Sequence, residues 1–247
     1  MRFVDSHIHV CEYADPAKEL SYSRSTDTLL VSSGVDRESS ERTLSLATGS
    51  GGHILGFVGV HPSEAEKEVD LDWVGDALSK ATGLGEVGLD PKYSSAEKGS
   101  VQLEVFVSQL TAAGKAGKPV QVHSRGAESL CLETLEGFNL KGGVLLHWFQ
   151  EEDKVKPAAD RGYYFSFGPA LLTSKKLQRI ASRLSLSQVL TETDGPVEFK
   201  GLGNGQGPTL IPSVLFKLAL LFGMRYEEMR QAVVINSMSF LGLAGKG

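Results

Sequence analysis

Phe3-Val4-Asp5-Ser6-His7-Ile8-His9-Val10 reads as a strand that ends in two histidines one residue apart. Side chains along a strand alternate faces, so Asp5, His7 and His9 share one face. Two imidazoles on one face at a strand end can grip one divalent ion, but a pair is only half of such a site. Read alone, it also fits two surface histidines at a frayed terminus. The other half must come from elsewhere in the chain.

Outward from this strand, short apolar runs alternate with helical patterns through the 247 residues. Strands are expected near 2–8, 28–32, 54–60, 82–87, 119–123, 143–147, 162–167 and 188–192. Helices are expected near 36–48, 70–80, 99–117, 125–137, 151–160 and 174–185, and over the last forty residues with a break near Gly223. Residues 10–26 are polar and irregular, and read as a long loop with a helical turn. About eight β-then-α units argue for a parallel sheet with helices outside. A chain of this length then predicts a (β/α)8 TIM barrel. With no Pro/Gly/Ser-rich linker, residues 1–247 read as a single domain. An open doubly wound sheet is the runner-up, but no G-x-G-x-x-G follows the first strand. Gly114-Lys115-Ala116-Gly117-Lys118-Pro119 lacks phosphate-loop spacing and ends a helix rather than opening one.

Composition bounds the function. Hydrophobic residues make up 41%, enough for a sizeable core. The net charge of −5 argues against electrostatic clamping of nucleic acid, although ions held in a site can supply local positive charge. Cys11 and Cys131 make no zinc or redox spacing, so a reduced, cytoplasmic setting is expected. No apolar run reaches membrane-spanning length, so no membrane partner is expected. No protein partner is readable beyond a monomer or small homo-oligomer.

In an α/β barrel, chemistry sits at the C-terminal ends of the strands. Those ends carry His7 and His9, His61, Glu86 with Asp90, His123 with Arg125, His147, and Glu192 with Asp194. Five of the six histidines fall there, and only His53 does not. Each alone has a plain reading: a buried hydrogen-bonded histidine, a solvent-facing glutamate, an Asx turn. Together they make a donor set for divalent ions. Glu86 sits between the other ligands in barrel order and is the expected bridge. Glu192 shares the face of Asp194 and is expected to orient a ligand. His61, before Pro62, reads as a substrate or supporting residue. Arg125 is placed to pair with an anionic substrate. The glycine-dense stretch 199–208 reads as a lid or substrate wall.

At this point the chain resembles the TatD family of metal-dependent deoxyribonucleases, within the amidohydrolase superfamily. The matching pieces are Asp5-Ser6-His7-Ile8-His9, Gly59-Val60-His61-Pro62, Gly85-Glu86-Val87-Gly88-Leu89-Asp90, Pro119 to Arg125, His147 with Phe149, and Glu192 to Pro196. Asn236 with Phe240 resembles the family's closing helix. The pieces come in family order over nearly the whole chain. The resemblance implies a distorted barrel with a two-metal site formed by His7, His9, Glu86, His123, His147 and Asp194. It implies two divalent ions per chain (zinc, magnesium or manganese) and a phosphodiester substrate, usually DNA. The chain departs from the family at Trp148, where a small residue is usual, and at Gly205-Gln206-Gly207-Pro208, where an arginine–asparagine pair is common before the proline.

The expected mechanism is metal-assisted hydrolysis. Asp194 and Glu86 are the catalytic carboxylates, with Asp194 as general base. Arg125, His61 and Lys92 hold the substrate. Two alternatives share these residues: hydrolysis of a small amide, lactone or ester, and a metal-binding protein without catalysis.

Overall fold

The structure is a computed structural model that describes residues 1–67, 70–94, 100–199 and 207–244. Eight strands form one parallel sheet in sequence order: β1 (Phe3–Ile8), β2 (Thr28–Ser33), β3 (Ile54–Val58), β4 (Gly83–Gly88), β5 (Val120–His123), β6 (Val144–Leu146), β7 (Tyr164–Phe167) and β8 (Val189–Thr191). The helices between and after them are α1 (Pro16–Thr26), α2 (Arg37–Gly49), α3 (Asp72–Lys80), α4 (Val101–Ala116), α5 (Glu128–Glu136), α6 (Val155–Asp160), α7 (Lys175–Ala181), α8 (Ile211–Phe222) and α9 (Tyr226–Phe240). This is the expected barrel. Among the described residues, no single helix is long and apolar enough to cross a membrane.

The first and last strands meet without a regular ladder. Thr191 Oγ1 donates to Val4 O (2.8 Å), Asp194 N to His7 O (2.9 Å) and His9 N to Gly195 O (2.7 Å). Two of these three bonds come from residues beyond the end of β8. The bonds that close the seam therefore also place Asp194 beside His7 and His9.

The lumen is filled from the N-terminal end. Val4, Leu29, Val31, Phe57, Leu145 and Leu190 share one buried cluster with Phe240. They come from β1, β2, β3, β6 and β8, strands spread around the sheet, so their side chains meet inside the barrel. Phe240 of α9 stacks on Phe57 at 6.0 Å and plugs that end. Gly83 opens β4 because a Cβ there would meet the Phe57 ring at 2.2 Å.

Residues 10–26 differ from expectation. Pro16–Thr26 is a full helix rather than a loop with one turn. Asp15 caps it by accepting from Lys18 N, and Pro16 occupies the first turn, where its missing N–H costs nothing. Only Ser23 is buried along it, so no apolar period marked it. Of the 199–208 stretch expected to form a lid or wall, residues 200–206 lie outside the described residues.

Candidate metal centre

Strand pairing is irregular where the ligands sit. The β1–β2 register shifts between Asp5 and Ile8, around His7. The β4–β5 register shifts between Leu84 and Val87, around Glu86. Such bulges re-aim side chains beside active sites.

The structure brings together all six expected ligands at the C-terminal end of the barrel. Glu86 Oε2 lies 3.5 Å from His7 Nε2 and 3.4 Å from His9 Nε2. Its Oε1 faces the other side: His123 Nδ1 at 2.7 Å, His147 Nε2 at 3.6 Å and His61 Nε2 at 3.9 Å. Asp194 Oδ1 lies 3.4 Å from His7 Nε2 and 3.5 Å from His9 Nε2. The two oxygens of Glu86 thus face two separate groups of donors.

These distances suit an ion better than hydrogen bonds. Ligands about 2.0–2.2 Å from a tetrahedral ion lie roughly 3.3–3.6 Å apart. The four separations among His7, His9, Glu86 and Asp194 span 3.4–3.5 Å. His7 Nε2 is fully buried and has no well-aligned hydrogen-bond partner among the described residues. A buried, unpartnered imidazole nitrogen is costly unless it ligates something. The donor set therefore fits a divalent ion.

Each histidine is fixed through its other nitrogen. His7 Nδ1 is bonded to Gln121 Oε1 at 2.9 Å, and His9 Nδ1 to the Ser33 carbonyl at 2.9 Å. His147 Nδ1 is bonded to Glu192 Oε2 at 2.7 Å, and Ser166 Oγ also donates to Glu192. In all three, Nδ1 carries a hydrogen toward its acceptor and Nε2 faces the centre. Glu192 thus has the orienting position expected of it. His123 is reversed: Nδ1 faces Glu86, and Nε2 is bonded to Asp90 Oδ2 at 2.8 Å.

Asp5 stands behind the centre. It accepts from Thr193 N (2.9 Å) and Thr193 Oγ1 (2.5 Å), one residue before Asp194. Burial pushes its carboxyl up to about 7 against those hydrogen bonds.

Burial alone would neutralise the centre, but the charges oppose it. Burial pushes His9 down, and the Asp194 and Glu86 carboxylates more than offset it, holding its pKa at about 9. His123 is likewise pressed down by burial, then raised to about 9 by Glu86 and Asp90. His7 ends well above its usual value for the same reasons, with Glu86 the largest opposing charge. Burial pushes Glu86 up, but the surrounding histidines hold it well below the usual carboxylate range. Asp194 is also held low, by His147 and by the nearby His7 and His9, against burial. His61 gains too little: burial takes it down to about 3, so it stays neutral.

The expected substrate residues line the same cavity. His61 Nδ1 is bonded to Ser63 Oγ at 2.8 Å, which leaves Nε2 toward Glu86. That orientation also makes His61 a possible third donor beside Glu86 and His123. Arg125 Nη2 is paired with Asp90 Oδ2 at 2.6 Å. Sequence reasoning gave Gln121, Ser33 and Ser166 no role, and placed Asp90 at a strand end without the support it gives His123. Only Asp90 carried a signal, four residues past Glu86 in one short motif.

Residues 4–242 match the family model described as TatD related DNase. A metal-dependent hydrolase of Haemophilus influenzae, otherwise uncharacterised, is 26% identical over 252 residues, covering 97% of this chain and 99% of that protein. The human deoxyribonuclease TATDN3 is 31% identical over 172 residues, covering 63% of this chain and 62% of that protein. The crystal structure of YJJV, a TatD homologue from Escherichia coli K12, superposes with a TM-score of 0.85 over 97% of both chains at 23% identity. At that identity the likeness speaks for the fold alone.

Proposed function

The chain belongs to the TatD-related DNase family of metal-dependent hydrolases, and from that premise we propose that it cuts phosphodiester bonds in DNA at a two-ion centre. His7, His9 and Asp194 would hold one ion, His123 and His147 the other, with Glu86 shared between them. The observation that carries this reading is the split of the two Glu86 oxygens between the two donor groups. Bound divalent ions would polarise the phosphoryl group and make a nearby water more acidic.

The chain's own residues supply the rest. Asp194 stays ionised and faces the cavity, so it can accept the proton of the attacking water. Glu192 and Gln121 each accept an imidazole Nδ1 hydrogen, which turns the inner nitrogens of His147 and His7 toward the centre. Arg125 and Lys92 lie at the rim, where a substrate phosphate would need countercharge.

The test uses ion-stripped protein resupplied with zinc, manganese or magnesium. Single-stranded DNA, duplex DNA and a panel of small esters, lactones and amides are then compared. Ion-dependent cleavage of DNA is expected, and Asp194→Asn should lower turnover by about 10²–10⁴-fold. Unchanged turnover in Asp194→Asn would remove the base assignment. Cleavage confined to the small-molecule panel would replace the phosphodiester reading.

A further inference from the structure

The cavity above the two carboxylates has a volume of about 530 Å³, and its walls differ in kind. The segments after β3, β4 and β5 contribute His61, Lys92 and Arg125. Lys92 Nζ and Arg125 Cζ each lie 5.6 Å from the centre of the Tyr93 ring, so cationic heads gather there. The segments after β6 and β8 contribute Trp148, Pro196 and Val197, an apolar group.

Trp148 follows His147 directly and has a φ of 43°. A bulky residue holds that left-handed conformation only where surrounding structure imposes it, and such positions cluster at functional sites. Asp194, on the neighbouring part of the rim, is the other cavity residue with a positive φ that is not glycine. The Trp148 ring lies 5.2 Å from the Phe199 ring and 6.3 Å from the His147 ring, centre to centre. Its Nε1 is buried and has no hydrogen-bond partner among the described residues. The residue as a whole is only partly buried. What Trp148 shows the cavity is therefore ring carbon rather than the N–H.

A phosphodiester held at the centre carries a sugar and a base beside the scissile phosphate. The cationic wall suits its phosphates, and the apolar wall suits a flat ring. Every base has a π-face, so an aromatic carbon surface takes any base once it leaves the helical stack. We propose that Trp148, with Pro196 and Val197, forms a subsite that stacks one unpaired nucleobase next to the scissile phosphate. The proposal rests on the phosphodiesterase reading and adds to it: the substrate unit is a nucleotide outside the duplex stack. With no donor facing the cavity from the indole, the subsite does not select among the four bases.

The experiment compares a short thymidylate single strand with the same strand carrying one abasic residue, moved through each position in turn. With ion-loaded wild type, abasic substitution at one position flanking the cut should lower kcat/KM by about tenfold or more. Trp148→Ala should lose a similar factor on the full strand and no longer distinguish the abasic one. Trp148→Phe should keep most of the discrimination. A second readout does not depend on cleavage. The chain has two tryptophans, so Trp73→Phe leaves Trp148 as the sole emitter. Thymidylate should quench that emission and the fully abasic strand should not. Equal discrimination in wild type and Trp148→Ala, or emission unmoved by thymidylate, overturns the subsite. If no strand is cut but thymidylate quenches Trp148, the phosphodiesterase reading fails and the base subsite stands.

Discussion

Gln121 crosses the lumen and ties three strands together at one point. It lies on β5, is fully buried, and has its Oε1 on both His7 Nδ1 and Ser33 Oγ. Its Nε2 donates to the Ser6 carbonyl at 2.6 Å. Gln121→Leu keeps the volume but loses these bonds. Ion affinity, measured against a competing chelator, should fall by about 10–100-fold. Unchanged affinity would show that His7 is held by packing alone. Proton linkage acts on the same residues. His9 and His123 have pKa values of about 9 in the ion-free protein, above the ordinary 6.5. A raised histidine adds stability that is complete below 6.5 and is lost as pH climbs through 9. Ion binding displaces those protons, so affinity rises over the same window. The gap in Tm between zinc-loaded and ion-free protein should therefore widen from pH 6.5 to 9. A constant gap would mean that these histidines do not bind the ion. At this scale, the sequence showed which residues could ligate, because strand alternation puts His7 and His9 on one face. It did not show Gln121 or Asp90 as supports, because their partners are brought by other strands and no local pattern records them.

Among the elements, the strands were the easiest to read, since most are short and buried along their length. Helix α1 was hidden because its stability comes from a cap and a first-turn proline rather than from an apolar stripe. Strand β4 shows how packing sets a residue that propensity would disfavour. Gly83 costs backbone entropy in a strand, yet the Phe57 ring occupies the space of any Cβ. Gly83→Ala should destabilise by about 1–3 kcal/mol through overpacking, read from urea denaturation. Paired with Phe57→Leu the cost should shrink, and additive costs would rule out the contact as its source.

Across the whole molecule, eight βα units predicted the barrel, but nothing in the sequence disclosed how it would close. Closure relies on a small set of bonds between residues 4–9 and the segment from Thr191 to Gly195, those from Thr193 to Asp5 among them. Removing the ions by chelation should lower Tm, since a ligand at 100 times its Kd adds about 2.7 kcal/mol. The loss should be uneven. Amide exchange at His9 and Asp194 should speed up more than at Val120 or Leu30, and uniform acceleration would argue against a seam held by ions.

That seam also sets a clock. Thr193 and Asp5, which it joins, are 188 residues apart in the chain. The first histidines leave the ribosome long before Asp194 exists. No nascent chain that stops short of Asp194 can offer the donor set of His7, His9 and Asp194. A hydrolase built this way gains its full chemistry only when its barrel is finished, which spares the cell a partly folded chain with a working active site.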